Sequence, residues 1–228
     1  MKVVQERLIP FTAAVSIEAA SKEIVSFLKK GNILHVNLIE KDYITLGGKG
    51  LCFSDSQLIK AASTGLGFPR LSSLAFNFTN GIKSLLMLLK IKKILKAMGS
   101  SSQSAAVGLR AGLAGAAVFA NNDSRCKELL KGEGSGVVLF KIADTEISCW
   151  FSFSENGDCR VGSDPLECHP SAVFTFRDCE VASSAIKGGF DHLGGPALGE
   201  ATISGNLPVL DKIGYISRVC QKAVPSVL

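Results

Sequence analysis

The stretch Gly199-Glu200-Ala201-Thr202-Ile203-Ser204-Gly205-Asn206 constrains this chain more than any other. Ala201 and Ile203 alternate with Thr202 and Ser204 between two glycines, which predicts a short strand with one face laid against an apolar layer. Pro208 follows where a helix can start, because the N–H it lacks is one that a first turn leaves unpaired anyway. Behind it Val209, Leu210, Ile213, Ile216 and Val219 recur at three- and four-residue intervals, so a helix from Leu207 to about Val219 has one apolar stripe to bury. Strand, sharp stop and covering helix form a unit that needs a sheet to join and a layer to cover.

The preceding residues supply that sheet. Val137 to Ile142 and Glu146 to Phe153 are rich in Val, Ile, Phe and Trp and are separated by Asp144-Thr145, as in a hairpin. Asn156-Gly157 is the next turn, Asp158 to Gly162 a third strand, and Ala172 to Phe176 a fourth. Asp178 caps a helix from Cys179 to Lys187 that stops at Gly188-Gly189, and Asn122 or Asp123 caps another through Leu130 that stops at Gly132. The expectation is an α+β fold, an antiparallel sheet of about five strands covered on one face by helices. No βαβ run of a nucleotide-binding fold occurs.

Upstream, Ser16 to Lys30 has the spacing of an amphipathic helix ended by Gly31-Asn32. Ile33–Ile39, Tyr43–Leu46 and Leu51–Phe53 read as strands, and Gly47-Gly48-Lys49-Gly50 reads as a hairpin turn lacking the spacing of a phosphate loop. Helical texture resumes at Ser56 and bends at Gly65-Leu66-Gly67-Phe68-Pro69. Asn80 is the expected cap of a helix from Ile82 to Met98. After a Ser-rich joint at Gly99–Ser104, Ala105 to Ala120 places Gly108, Gly112 and Ala116 at four-residue spacing, which lets another helix come close. These changes of texture divide the chain into an N-terminal α+β and basic helical extension, 1–104, and a C-terminal domain, 105–228.

Charge is lopsided. No Asp or Glu lies between Asp55 and Asp123, a window holding eight basic residues, and the other 17 basic residues face 20 acidic ones. The excess positive charge is therefore concentrated there and suits an anionic partner surface. Within it, Lys83, Lys90, Lys92, Lys93 and Lys96 stud the apolar helix 82–98. Two readings stand for that helix: a packing helix whose lysines snorkel outward, or an interfacial helix on an anionic membrane. Five lysines make it too costly to span a bilayer, and leucines stand where a nucleic-acid-binding surface would need stacking aromatics, so no nucleic acid is expected.

Reactive constellations are thin. His35, His169 and His192 sit in different elements, with no Ser-His-Asp order, nucleophile elbow or metalloprotease helix. Cys149, Cys159, Cys168 and Cys179 lack the paired C-x-x-C spacing of structural zinc, and Cys149, Cys179 and Cys220 read as small core residues. No metal, no cofactor and no enzyme activity are expected. Seven cysteines, an odd number, without a signal-peptide run at Met1–Arg7 suit a reduced, cytoplasmic setting.

From Asn121 to Ala223 the chain resembles the sterol carrier protein 2 (SCP2) domain family. The residues carrying the resemblance are Ala172–Asp178, the helix and Gly188-Gly189 after it, and Ala197–Asn206 before the last helix, which follow the family phrase G-K-L-x-I-x-G-[DN]. Glu200 stands where the family usually has Lys, and Ser226-Val227-Leu228 lacks the Lys of a peroxisomal address. The resemblance implies non-enzymatic binding and transport of a lipid or fatty acid ligand (sterol, fatty-acyl or isoprenoid) in an apolar tunnel. Candidate walls are Phe140, Ile142, Phe151, Phe174, Phe176, Ile186, Phe190, Ile203, Leu210 and Ile213, with a solid core of the same side chains as the alternative. The basic helix would dock on membrane, making the protein peripheral. Quinone-biosynthesis relatives of the family suggest a second function, an accessory scaffold for a membrane-proximal enzyme set.

Overall fold

A computed structural model describes residues 7–39, 43–48, 50–63, 67–72, 78–97, 101–143, 145–166, 168–191 and 194–224. The expected features at Lys49, Gly65-Leu66, Met98, Asp144 and His192 lie outside them.

Two layers of sheet are joined by a helical spine. The first is a three-stranded antiparallel sheet in the order β1–β2–β3 (Val36–Ile39, Tyr43–Leu46, Leu51–Ser54). It packs on α1 (Leu8–Leu28), α2 (Asp55–Ser63) and α3 (Phe78–Lys96). Helix α1 begins eight residues before the expected start at Ser16, because Pro10 falls in its first turn, where a missing N–H breaks no helical bond. Asn80 is likewise no cap but lies inside α3, which starts at Phe78.

The Gly47–Gly50 turn is a hairpin corner. The Gly50 N–H donates to the Gly47 carbonyl at 3.2 Å, and Gly47 holds φ at +70°. A Cβ on Gly47 would also collide with Ser84 Oγ, so the glycine admits α3 against the turn.

Helix α4 (Ser102–Asn122) is the spine, and α5 (Ser124–Lys131) follows with the expected caps, Asp123 and Gly132. Strands β4 (Gly136–Ile142), β5 (Ser148–Phe153), β6 (Cys159–Gly162), β7 (Ala172–Phe176) and β8 (Ala201–Gly205) form a sheet in the order β6–β5–β4–β7–β8. The five strands and the helical cover are as expected, but the sheet is mixed: β7 runs parallel to β4. The meander β4–β5–β6 ends on one edge, and β7 enters on the other side of β4. Trp150 Nε1 donates to the Asp164 carbonyl beyond β6 at 3.2 Å.

The register sets the core face. Val138 stands opposite Phe151 and Ala172, Phe140 opposite Cys149 and Phe174, and Phe174 opposite Ile203, all on the side facing the helices. Helices α6 (Cys179–Ile186), α7 (Gly194–Ala197) and α8 (Leu207–Ala223) complete the second unit. Edge strand β6 is clamped by Asn121, whose Nδ2 donates to the Cys159 carbonyl at 2.9 Å while its Oδ1 accepts the Cys159 N–H at 2.6 Å. Each unit has its own buried cluster, and α1 and α4 contribute to both: Ala13 and Leu113 to the larger, Ala14 and Ala111 to the smaller.

In the α1–α4 contact, the glycine that matters is Gly115, not Gly112. A Cβ on Gly115 would lie 2.6 Å from Ser16 Oγ, whereas one on Gly112 would meet nothing within 4 Å.

Glu18 ties α1 to the first sheet. Its carboxylate accepts from Lys22 Nζ at 2.7 Å and the Val36 N–H at 2.9 Å, with His35 Nδ1 at 3.4 Å. Burial works upward on its pKa, but the Lys22 and Val36 hydrogen bonds outweigh it and hold the carboxyl below its ordinary 4.5. This stabilisation is present above the unfolded-state pKa and is lost as pH falls through the lower folded one. Glu18→Gln should therefore lose about 1.5–3 kcal/mol at pH 7 in urea unfolding, with the gap from wild type closing as the pH is lowered below 4.5. A gap that stays constant with pH would contradict this role.

Candidate functional site

The site is a cavity of about 480 Å³ between the inner face of the five-stranded sheet and the helices. That volume falls in the range of small-molecule pockets. Phe140, Phe174, Phe176 and Ile203 form its sheet wall, Leu109 and Leu113 of α4 a second, Leu210 and Ile213 of α8 a third, and Ile186 of α6 closes one side.

Local chemistry places each wall. Strand alternation sends Phe174, Phe176 and Ile203 inward together, since β7 and β8 pair with Phe174 opposite Ile203. Asn206 caps α8 by accepting the Val209 N–H at 3.3 Å, with Pro208 in the first turn. Gly205 makes the turn between β8 and α8 possible: its φ is +89°, and any Cβ there would strike the Ser171 carbonyl.

Seven of the ten residues expected to line a tunnel do line this cavity: Phe140, Phe174, Phe176, Ile186, Ile203, Leu210 and Ile213. The other three stand off it. Ile142 and Phe151 are fully buried in the solid part of the core. Phe190 packs behind the sheet wall, edge-on to Phe174 and Phe176 at centroid distances of 5.9 and 6.0 Å. Close-packed aromatics on this side stiffen the wall, and the space remains on the α4 and α8 side.

Sequence reasoning missed the contribution of α1. Thr12 and Ser16 line the buried end of the cavity beside Gly115 and Cys220. Thr12 is fully buried, and its Oγ1 has no hydrogen-bond partner among the described residues. An orphaned hydroxyl of this kind costs about 1–3 kcal/mol. The helical spacing of Thr12 and Ser16 was visible in the sequence, but nothing local ties them to strands that begin more than a hundred residues later. Charged lining residues, Lys187 and Asp211, occur only at the exposed end. Cys220 is a thiol and not a nucleophile at neutral pH, because burial pushes it up to about 12.

Outside the cavity, α3 divides its faces sharply. Gly81, Ser84, Met87, Ile91 and Leu95 are buried, and Leu88 and Ile94 are half-buried. Ile82, Leu85, Leu86 and Leu89 are exposed together with Lys83, Lys90, Lys93 and Lys96, while Lys92 is half-buried. Phe68, Leu71 and Phe78, just before this face in sequence, are between 67% and 82% exposed, well beyond what a scattering of single surface apolar residues explains. No described helix is long and apolar enough to cross a membrane.

Over about half its length, the chain is structurally similar to SCP2 domains. The sterol carrier protein domain 2 of Helicoverpa armigera matches at 15% identity and a TM-score of 0.31, covering 59% of this chain and 87% of that one. A conserved hypothetical protein of Thermus thermophilus, for which sterol carrier protein is raised as a possibility, matches at 13% identity and a TM-score of 0.30, covering 46% and 86%. At these values the likeness assigns neither a ligand nor a residue role. No protein-family model matches the sequence, and no curated protein matches it significantly.

Proposed function

We propose that this protein binds an apolar lipid in the cavity between sheet and α8 and carries it without chemical conversion. The observation that carries this reading is the cavity itself, with hydrocarbon walls from three directions and charge confined to its exposed end. Each buried methylene gains about 0.8 kcal/mol against water, so a long chain is held without any particular polar contact. A bilayer interior is equally apolar, which keeps exchange between membrane and protein nearly balanced and therefore reversible. The same reading makes the exposed apolar and lysine face of α3 the surface that meets an anionic bilayer.

Organic extraction of the purified protein, read by mass spectrometry, should yield bound lipid, and a fluorescent fatty acid should be taken up. Gly112→Phe gives the sharper test, because this cavity-lining residue faces open space and a helical Gly→Phe change carries no backbone strain. Uptake should fall at least about tenfold, the scale of 1.4 kcal/mol, with unfolding little changed. Persistent absence of extracted lipid and of uptake by wild type would sink the proposal; stable co-purification with other proteins in their place would favour the scaffold.

A further inference from the structure

We infer that Gln221 is a latch across the exposed mouth of the cavity, tying the end of α6 to α8, and that it sets how fast a ligand passes rather than how tightly it is held. The inference rests on the cavity being a lipid site, and concerns how that site is gated.

Two helix ends build this part of the mouth. Ala185, Ile186 and Lys187 line the cavity at the C-terminus of α6, and Ser217 and Gln221 line it from the last turns of α8. Lys187 and Gln221 are exposed, whereas the lining residues Leu113, Phe174 and Ile213 are buried. Gln221 spans the gap: its Nε2 donates to the Ala185 carbonyl at 3.3 Å and to the Ile186 carbonyl at 3.2 Å. Both partners can only accept, so the amide nitrogen, with its two N–H groups, is the end that must face them. These carbonyls belong to the last turn of α6, where a helix leaves its own acceptors without intrahelical donors. Gly188 follows that turn at φ +81°, and a Cβ there would lie 3.3 Å from Gln221 Oε1, so the bare glycine leaves the amide its place.

Two properties make this tie a latch and not a fixed wall. It is made by one exposed, flexible side chain, so opening it exchanges each bond for one to water and costs only the small net value of a protein hydrogen bond. An apolar chain in the space beneath makes no claim on the amide or on either carbonyl, so the tie is equally available with the cavity empty or filled. A contact that must open for passage but is made alike in both states raises the barrier in both directions and cancels from the affinity. Opening of such closures is slow enough to set the rate of exchange.

Stopped-flow fluorescence of Nile red with the full chain, for wild type, Gln221→Ala and Gln221→Glu, tests the latch; the signal to follow is the phase that Gly112→Phe removes. Both Gln221 variants should bind and release the dye about tenfold faster than wild type, the scale of 1.4 kcal/mol, with Kd unchanged. Gln221→Glu keeps the size of the side chain but, ionised at neutral pH, has no donor for the two carbonyls. It therefore separates a hydrogen-bonded latch from a steric plug, which only the alanine would remove. Gln221 is exposed, so both variants should unfold close to wild type. Wild-type rates in either variant, or a change in Kd carried by release alone, would overturn the latch while leaving the lipid cavity intact. A wild type in which no phase depends on Gly112 would remove the cavity reading and the latch together.

Discussion

Replacing Lys83, Lys90, Lys93 and Lys96 together by Gln should abolish measurable association with anionic vesicles at physiological salt. These four are the exposed lysines of α3, interleaved with exposed Ile82, Leu85, Leu86 and Leu89. A lysine held near a negatively charged leaflet contributes about 1 kcal/mol, so the four lose about 4 kcal/mol, on the order of a 10³-fold drop in partitioning. Lys92, half-buried, is left in place. Wild-type binding should also weaken as salt is raised, because exposed charges are screened beyond about 8 Å at physiological ionic strength. Leu86→Ser with Leu89→Ser should weaken whatever binding remains on neutral vesicles, where only the apolar component acts. Cosedimentation with phosphatidylserine vesicles, and with neutral ones for the leucine variant, reads these effects. Unchanged binding by the quadruple variant would remove α3 as the docking face.

Arg110→Ala should destabilise the fold by about 3–5 kcal/mol at pH 7, the scale for stranding one member of a buried pair. Arg110 of α4 meets Glu23 of α1 at 4.0 Å, and each side chain is only 16% exposed. The pair is imperfectly made. Arg110 Nη1 is buried without a hydrogen-bond partner among the described residues, and burial raises Glu23 above its ordinary 4.5 against the pull of Arg110 and a Ser163 hydrogen bond. Removing the guanidinium leaves desolvation unopposed and raises Glu23 further. A carboxyl with a raised folded-state pKa is stabilising below its unfolded value and loses that contribution as pH climbs through the folded one. The Arg110→Ala deficit should therefore shrink as pH is lowered towards 4.5, whereas the deficit from a lost packing contact would not change with pH. Arg110→Met with Glu23→Gln should recover much of the stability, since it strands no charge. Denaturant unfolding between pH 4.5 and 8 provides the measurement; a pH-independent deficit would contradict the pairing.

Some of this architecture could be read directly from residues. The caps of α5 and α6, the breaks at Gly132, Gly188 and Gly205, and the inward alternation of β4, β5 and β7 depend on neighbours a few positions away. Helix α1 reaches back to Leu8, past the start at Ser16 expected from the apolar spacing, and Pro10 in its first turn interrupts no helical bond. The Gly108–Gly112–Ala116 spacing suggests that another helix comes close, but a Cβ on Gly112 would meet nothing, and the tight contact with Ser16 of α1 is at Gly115, which a helical repeat alone does not distinguish. The parallel β4–β7 pair escaped notice because strand direction here depends on the connection from β6 to β7, not on any residue of either strand.

For the stretch from Gly199 to Asn206, sequence alone determined a strand, a forced turn at Gly205 and a helix with one apolar stripe. It also determined which side chains of the C-terminal half face inward. Whether those side chains meet or leave space was decided only by tertiary structure. Void volume is a small difference between the positions of α4, α8 and the sheet, each fixed by contacts distant in sequence. Ile142 and Phe151 fell into solid core and Phe174 and Ile203 onto a cavity wall, although all four share one inward pattern. The same packing brought Thr12 and Ser16 from the other end of the chain to the wall's buried end, a meeting that no local periodicity encodes.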